Sequence, residues 1–374
     1  MIVTLREETP PSSAPSTLVT VVVPCFNYGR FLAETLESVI RQSHRRWECI
    51  IVDDGSTDDT RRIAQSYVAR DTRFRYLHQH HRGASAARNL GIHAGRGECF
   101  QFLDADDLIE PRKLEHHLRH LHERGDVGIV YSPVRYFASE RSHERRYSMR
   151  EPDHPWMPQA SGRGLPLVSV MARTNLMAIN CPLVRRHVID RAGGFDERLD
   201  ALEDWNYWLR CALDGTWFQY LDEPETYALV RQHPASTSQD TLRVTRALLP
   251  LCRGALRSTS DAGARALFAW KLASARHDLY ILQLRQNMPV RGLLNGLALE
   301  LSEKRYRVAL QCFFALVLLP FIGKRRASAL LLDVSWSRSL RKLFLGLTSI
   351  PPELPGGVAK TSSQQPPQQR GLPP

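Results

Sequence analysis

Residues 98–107 read ECFQFLDADD and residues 47–56 read WECIIVDDGS, and these two stretches decide the fold. In each of them, a short apolar run leads directly into clustered aspartates. Runs of this kind are typical of strands that are buried on both faces of a parallel sheet. Because ligands bind beyond the carboxyl ends of parallel strands, both acidic clusters are expected at one binding edge.

The sequence around those stretches alternates between strand and helix patterns. LVTVVVP at 18–24 predicts another buried strand, and the apolar residues of 31–40 recur at helical spacing. Helices are also expected over 57–70 and 83–94. This alternation predicts a Rossmann-like α/β fold, with a mixed, mostly parallel sheet and helices on both faces.

Composition divides the chain into four parts. We expect a disordered leader over 1–17, a folded α/β domain over 18–238, an α-helical C-terminal region over 239–348 and a disordered Pro/Gln-rich tail over 349–374. Within the α/β domain, one further strand is expected over 126–137. A long polar surface loop is expected over 138–165.

The C-terminal region contains two segments with membrane-like character. VALQCFFALVLLPFIG at 308–323 is nearly uncharged, and SLRKLFLGL at 339–347 is both basic and apolar. The first is short for a transmembrane helix, which needs about 20 residues. It predicts either a peripheral membrane contact or a buried helix of a small bundle, and the sequence leaves both alternatives open.

The overall charge and the cysteines limit the function classes. Lys and Arg number 50 against 39 Asp and Glu, giving a net charge of +11, which fits nucleotide phosphates or an anionic membrane, or reflects codon bias alone. The 7 cysteines include no C-x-x-C pair, which predicts reduced thiols in a cytoplasmic protein. No nucleic-acid partner is expected. No phosphate-binding or dinucleotide-binding glycine motif is present, so nothing favours a kinase or a dehydrogenase.

The aspartates at the two strand ends are the first candidate functional residues. Asp104, Asp106 and Asp107 would repel one another without a cation, so they predict a site for Mg²⁺ or Mn²⁺. The alternative for such a cluster is a solvated turn. Asp53 and Asp54 could accept hydrogen bonds from a nucleobase or a ribose hydroxyl, or could form an acidic helix start.

Four segments, in this order, resemble the inverting family-two glycosyltransferases, which have a GT-A fold. They are VVVPCFNYGRFLAETLESVIRQSHRRWECIIVDDGSTDDT (21–60), GASAARNLGIHAGRGECFQFLDADDLIEP (83–111), GGFDERLDALEDWNYWLRCALDG (193–215) and YALVRQHPASTS (227–238). The resemblance therefore covers roughly 18–238 and does not extend to the helical C-terminal region.

The resemblance assigns roles to individual residues. It implies a nucleotide pocket formed by Pro24, Asn27, Asp53, Asp54, Arg88, Asp104 and Arg231. It implies metal coordination by Asp106, Asp107 and His233. Asp204 would be the general base, with Glu203 beside it. Trp205 and Trp208, on the same segment, could stack on sugars or could pack in the core.

The implied activity is metal-dependent transfer of a sugar, with inversion, from a nucleotide-diphosphate sugar to an acceptor hydroxyl. A UDP-sugar is the expected donor, with a GDP- or dTDP-sugar as the alternatives, and a saccharide or lipid-linked molecule is the expected acceptor. Such a reaction would serve cell-surface polysaccharide or glycolipid biosynthesis at the cytoplasmic face of the inner membrane. The alternatives are a nucleotidyltransferase and a catalytically inactive scaffold for glycan assembly.

A histidine cluster lies outside these motifs. Its members are His116, His117, His120 and His122, on the helix expected after the DADD segment. Their spacing could bind a metal, but the sequence shows no carboxylate or cysteine that would complete the ligand set. A solvated helix face is therefore the interpretation that we adopt for them.

Overall fold

A computed structural model describes residues 16–139, 141–148, 154–233, 240–285, 294–298 and 301. The expected disordered tail and the segments 308–323 and 339–347 lie outside these ranges, as does nearly all of the expected leader. The limits set for the four parts of the chain therefore stay predictions.

The strands and helices that the sequence predicts appear in the predicted order, with one exception, and further elements occur between and after them. The strands are β1 (Val19–Cys25), β2 (Trp47–Asp53), β3 (Phe74–His78), β4 (Cys99–Phe102), β5 (Leu108–Ile109), β6 (Val127–Tyr131), β7 (Val134–Ala138), β8 (Arg141–Arg146), β9 (Pro182–Arg185), β10 (Trp217–Tyr220) and β11 (Ala228–Gln232). The helices are α1 (Gly29–Ile40), α2 (Thr60–Arg70), α3 (Ala84–Ala94), α4 (Lys113–Glu123), α5 (Leu165–Arg173), α6 (Arg186–Ala192), α7 (Glu203–Leu213), α8 (Thr241–Ser258) and α9 (Ala262–Arg285).

The exception is the stretch 126–165. The single strand predicted over 126–137 is wrong, because β6 and β7 are separate strands that belong to different sheets. Pro133 lies between them and has no N–H to donate to a sheet, so the chain turns there. The loop predicted over 138–165 is also partly wrong, since it contains β8 and the start of α5 is reached by residue 165.

The larger sheet has seven strands in the order β10-β6-β9-β4-β1-β2-β3. The pairs β1–β2, β1–β4, β2–β3 and β10–β6 are parallel, whereas β9 is antiparallel to both of its neighbours. This confirms the predicted α/β fold with a mixed, mostly parallel sheet. The parallel arrangement also sets the carboxyl ends of β1, β2 and β4 side by side.

The smaller sheet brings a distant part of the chain to that edge. Its order is β5-β11-β7-β8, with β11 antiparallel to β5 and parallel to β7. Strand β5 begins directly after the DADD segment. Pairing with β5 therefore places Arg231, near the end of β11, close to those aspartates.

Alternate residues of β1 build the two faces of the core. Val21 and Val23 pack with Leu32 and Leu36 of α1, while Val22 faces the opposite core with Phe102. Each side chain of this size contributes about 1.5–3 kcal/mol when it is fully buried. Helices thus cover both faces, as predicted. The cysteines of the described ranges are free and buried, in keeping with reduced thiols.

Helix α3 lies very close to the sheet. A Cβ atom at Gly91 would lie 2.3 Å from Cγ1 of Val22, so only glycine allows this approach. Helix α3 carries Arg88 one turn earlier, and the close packing fixes that side chain relative to the carboxyl ends of the strands.

The helices after the α/β domain join the same core. Helix α9 packs on α5 and α8 packs on α7, and Leu251, Leu267 and Phe268 belong to the hydrophobic cluster that contains Val22. The helical C-terminal region is therefore confirmed as far as α9. Within the ranges that the structure describes, no helix combines the length and apolar character that crossing a membrane requires.

Candidate active site

The turns that follow β1 and β2 form one continuous loop structure. Asn27 has a left-handed backbone with φ 58°, a conformation that asparagine tolerates better than most residues. Its Oδ1 accepts a hydrogen bond from the Thr57 backbone N–H at 2.8 Å, and its own N–H donates to the Ser56 hydroxyl at 3.0 Å. Pro24 lies inside β1, opposite Val52 of β2, and is buried.

Asp54 organises the loop that follows β3. Its Oδ1 accepts hydrogen bonds from Gln79 Nε2 at 2.6 Å and from the Arg82 N–H at 2.8 Å. Its Oδ2 accepts from the Gly83 N–H at 2.8 Å and lies 2.9 Å from His81 Nδ1. Asp54 thus forms the buried wall of the expected nucleotide pocket.

Asp53 has a similar supporting position. Its carboxylate accepts hydrogen bonds from the Ser56 N–H at 2.8 Å and from the Tyr76 hydroxyl at 2.7 Å. Between these buried carboxylates and solvent, the rings of Phe26 and His81 stack with their centroids 4.0 Å apart. This aromatic pair, with Phe26 exposed, offers a flat surface against which a nucleobase could stack.

The three aspartates that follow β4 have different environments. Asp107 is buried, its Oδ1 accepts from the Arg231 N–H at 2.7 Å, and its Oδ2 accepts from Asn180 Nδ2 at 2.5 Å. Burial, with the charges of Asp106 and Asp104, raises its pKa well above the usual range. Asn180 Oδ1 also accepts from the Asp104 N–H at 2.8 Å. Asp107 therefore holds the loop that follows β4 from its buried side. The side chain of Asp104, in contrast, is 33% exposed.

Asp106 meets the end of β11. Its Oδ2 lies 2.8 Å from His233 Nε2, and its backbone carbonyl accepts from Arg231 Nε at 2.8 Å. Arg231 also donates to Glu34 of α1 at 2.9 Å, and the Phe31 ring lies 5.0 Å from that of His233. The structure thus brings Arg231 and His233 to Asp106, although more than half of the sequence of the α/β domain separates them.

The sequence predicts that residues of this cluster bind a divalent cation. Among the residues that the structure describes, no group of three or more His, Cys, Asp or Glu side chains is arranged to hold a metal ion. Asp107 is a poor ligand, because both of its oxygens already accept hydrogen bonds. Asp106, His233 and the exposed side of Asp104 remain. One or two carboxylates fit Mg²⁺ or Mn²⁺ when substrate phosphates and waters supply the other ligands.

Arg88 joins this cluster to helix α7. It is buried, and it donates to Asp104 Oδ1 and to Glu203 Oε1, each at 2.8 Å. Burial alone would lower the Arg88 pKa, but the two carboxylates raise it above the usual range. Burial would raise the Glu203 pKa, but the charge of Arg88 keeps it below its usual value. Arg88 and Glu203 are therefore charged, and the two contacts of Arg88 link the two acidic motifs.

Asp204 differs from Glu203, the residue before it. Leu202 has a left-handed backbone with φ 60°, an unusual conformation for leucine, and it turns the chain into α7. Asp204 accepts from the Trp205 N–H at 2.6 Å and from Asn175 Nδ2 at 3.1 Å. Burial, followed by the Glu203 charge, raises its pKa to about 7. A carboxylate with this pKa is well matched to accept a proton near neutral pH.

Both tryptophans of α7 and part of the histidine cluster are buried. Trp205 and Trp208 are both buried, so they pack in the core. The solvated face assigned to the histidine cluster is wrong for His116 and His117, which are buried. Helix α4 turns them toward the sheet and toward Glu223, whose carboxylate contacts His116 and lies 2.9 Å from His120 Nε2.

Sequence patterns missed three supporting residues. Asn180 holds two of the aspartates, and Asn175 holds Asp204. Lys113, which is buried, donates to the backbone carbonyl of Cys181 and so fixes the turn that carries Asn180. Burial lowers the Lys113 pKa to about 7. Each of them acts on a residue more than 25 positions away, so no local spacing reveals it.

Solved structures share this fold. The structure of S. aureus TarS 1–349 in complex with UDP-GlcNAc matches with a TM-score of 0.57 and 16% identity, over 80% of this chain and 90% of that one. The mannosyltransferase PcManGT from Pyrobaculum calidifontis, in complex with GDP-Man and Mn²⁺, matches with a TM-score of 0.52 and 17% identity, over 92% and 87% of the two chains. The protein therefore has the GT-A fold.

Sequence comparison supports the same conclusion for part of the chain. Residues 20–179 match the family model of glycosyl transferase family 2, which confirms the predicted resemblance over that part of the chain. The putative teichuronic acid biosynthesis glycosyltransferase TuaG of Bacillus subtilis (strain 168) is 42% identical over 108 residues, which is 29% of this chain. The chain spans 43% of the length of TuaG.

Proposed function

We propose that the protein transfers a sugar from a nucleotide-diphosphate sugar to an acceptor hydroxyl, with inversion at the anomeric carbon. The observation that carries the proposal is the bridge of Arg88 between Asp104 and Glu203. It joins the strand-end cluster, which suits a nucleotide diphosphate, to the helix that presents Asp204. Donor and acceptor groups would thus meet in one site.

The donor is proposed to bind at the carboxyl ends of β1, β2 and β4. Its base would stack on the Phe26–His81 pair, beside the turn held by Asp53 and Asp54. The two solved structures are complexes with UDP-GlcNAc and with GDP-Man. We propose a UDP-sugar as the donor, with a GDP-sugar as the closest alternative.

Asp106 and His233, with the exposed side of Asp104, would hold a Mg²⁺ or Mn²⁺ ion. When bound, such an ion neutralises negative charge on the diphosphate as it departs. The position of these side chains at the strand ends, with Asp107 and Asn180 supporting the loop from below, keeps the carboxylates turned toward the donor edge.

The reaction is proposed as a single displacement. The Asp204 carboxylate takes the proton of the acceptor hydroxyl, and the acceptor oxygen forms a bond to the anomeric carbon. The bond from that carbon to the diphosphate oxygen breaks, and the nucleoside diphosphate leaves on the opposite face. General-base assistance of this kind contributes about 10²–10⁴-fold to a rate.

The acceptor is proposed to be a saccharide or a lipid-linked saccharide in cell-surface polysaccharide or glycolipid synthesis. The name of TuaG, which refers to teichuronic acid biosynthesis, supports this biological setting. The segments expected to contact the cytoplasmic face of a membrane, 308–323 and 339–347, lie outside the described residues. The membrane contact is therefore a proposal from sequence alone.

Product analysis tests the proposal. The protein is incubated with Mn²⁺ and, in turn, UDP-GlcNAc, UDP-glucose and GDP-mannose, and the released phosphate compounds are identified. We expect a nucleoside diphosphate from one donor, and loss of that product in an Asp204→Asn variant that still binds the nucleotide. Release of pyrophosphate would instead indicate a nucleotidyltransferase. Nucleotide binding without any turnover by the wild type would indicate a scaffold.

A further inference from the structure

Helix α9 touches the site from outside the family-matched segment. Lys271, in the middle of α9, donates a hydrogen bond from Nζ to the backbone carbonyl of Arg173 at 2.7 Å. Arg173 is the last residue of α5. The last carbonyls of a helix lack partners within the helix and carry partial negative charge. A lysine ammonium is therefore a suitable cap for the end of α5.

Trp205 caps the same end from the other side. Its indole Nε1 donates to the backbone carbonyl of Met171 at 2.9 Å, and Lys271 Nζ lies 5.2 Å from the centre of its ring. A cation at this distance from an indole is attracted to the ring. The end of α5 is thus held between α7 and α9, and the residue that holds it from α7 directly follows Asp204.

Asn175 connects the end of α5 to Asp204. It lies two residues beyond Arg173, and its Nδ2 donates to Asp204 Oδ2 at 3.1 Å. Its Oδ1 is buried and has no hydrogen-bond partner among the residues that the structure describes. The opposite orientation of the amide would set an oxygen against the carboxylate. The contact with Asp204 therefore depends on where the end of α5 places Asn175.

The ammonium group of Lys271 is bonded to a backbone carbonyl and not to a carboxylate. It has no carboxylate within ion-pair distance in the described ranges, and burial lowers its pKa below the usual value. Arg276 lies on the same helix and makes no ion pair or hydrogen bond in the part of the chain that the structure describes. A partly buried lysine costs stability unless its ammonium is hydrogen-bonded, and here the bonded group is the end of α5.

We propose that Lys271 is a positioning residue for Asp204, acting through the end of α5 and through Asn175. The inference rests on the proposed function, since it concerns the general base of that reaction. It makes the helical region after the family-matched domain a part of the active site. The contacts described for Lys271 are with Arg173 and Trp205, neither of which is assigned to the donor, so Lys271 is expected to affect the chemical step and not donor binding.

The test compares Lys271→Met, Lys271→Arg and Arg276→Met with the wild type. The assay follows release of UDP from UDP-GlcNAc or of GDP from GDP-mannose with Mn²⁺ present and water as the acceptor. We expect Lys271→Met to lower kcat by about 10- to 100-fold with KM for the donor unchanged, since small displacements of a catalytic group cost about this much. Lys271→Arg should keep kcat within about threefold of the wild-type value, because arginine retains the positive charge and a hydrogen-bond donor. Arg276→Met should match the wild type.

If Lys271→Met does not fold, Asn175→Ala tests the same inference, because it removes the contact with Asp204. It should lower kcat as strongly, again with KM unchanged, and combining it with Lys271→Met should cause no further loss. The inference is overturned if folded Lys271→Met or Asn175→Ala keeps the wild-type kcat, or if kcat and KM change together. A wild type that releases no nucleotide from either donor would overturn the proposed function, and this inference with it.

Discussion

The pH dependence of the reaction should follow Asp204. Its pKa is raised from an ordinary 3.8 to about 7 by burial and, second, by the Glu203 charge. The side chain acts as a base only when it is ionised. We therefore expect kcat/KM for the donor to rise as the pH rises through 7 and to level off above it. At pH 5 the rate should be about 1% of the plateau, since the ionised fraction falls tenfold for each pH unit below the pKa.

The same pKa predicts an effect on stability. Between pH 3.8 and about 7, folded Asp204 holds a proton that the unfolded chain has released. The folded state therefore loses stability as the pH rises through this range, by up to about 4 kcal/mol, and by less where solvent reaches the carboxylate. Asp204→Asn removes this loss, and the new amide can still accept from the Trp205 N–H.

Two measurements on Asp204→Asn check the reasoning together. The rate of nucleoside diphosphate release should fall by about 10²–10⁴-fold. The free energy of unfolding in urea should exceed that of the wild type at pH 8, with a smaller excess at pH 5. The reasoning is refuted if the wild-type rate falls only below pH 5, or if Asp204→Asn is destabilised equally at both pH values.

Two further predictions concern buried basic residues. Arg88→Met leaves two carboxylates without their partner and should lower the free energy of unfolding in urea by about 3–5 kcal/mol. The control Arg82→Met, which removes a mostly exposed ion pair, should lower it by less than about 1 kcal/mol. Equal losses in the two variants would show that burial of the Arg88 network is unimportant. Lys113, whose pKa is lowered from 10.5 to about 7, is neutral when folded and protonated when unfolded between those values, so wild-type stability should rise from pH 7.5 to pH 9.5. Lys113→Met should lack that rise, and an unchanged slope would contradict the assignment.

The sequence contains enough local information to predict the α/β framework. The runs that form β1, β2 and β4 are mostly apolar, those of β1 and β2 are rich in β-branched residues, and each leads to a residue at the binding edge. Their parallel pairing follows from the helices between them. The prediction of a single strand over 126–137 was wrong because one apolar run contains strands of two different sheets. Only Ser132-Pro133 marks the point where one strand ends and the next begins.

The candidate site could be predicted only in part. Its acidic residues stand at strand ends or helix starts, where a pattern makes them visible. Asn180, Asn175 and Lys113 reach the site through tertiary packing, and nothing in their neighbourhoods distinguishes them from other polar residues. The burial of His117 was missed because its helix shows charged residues on both sides, and the orientation of that helix depends on strands far along the chain.

The central claim is that the carboxyl ends of β1, β2 and β4 bind a nucleotide diphosphate together with a divalent cation. The most direct test is calorimetric titration of UDP, GDP and dTDP, each with and without Mn²⁺, into the wild type, Asp106→Ala and Asp126→Ala. Asp126 is a matched control, because its carboxylate forms an exposed ion pair with Arg124. We predict Mn²⁺-dependent binding of UDP that is retained in Asp126→Ala and lost in Asp106→Ala. Absence of binding by all three nucleotides to the folded wild type, or binding that Asp106→Ala leaves intact, would contradict the account.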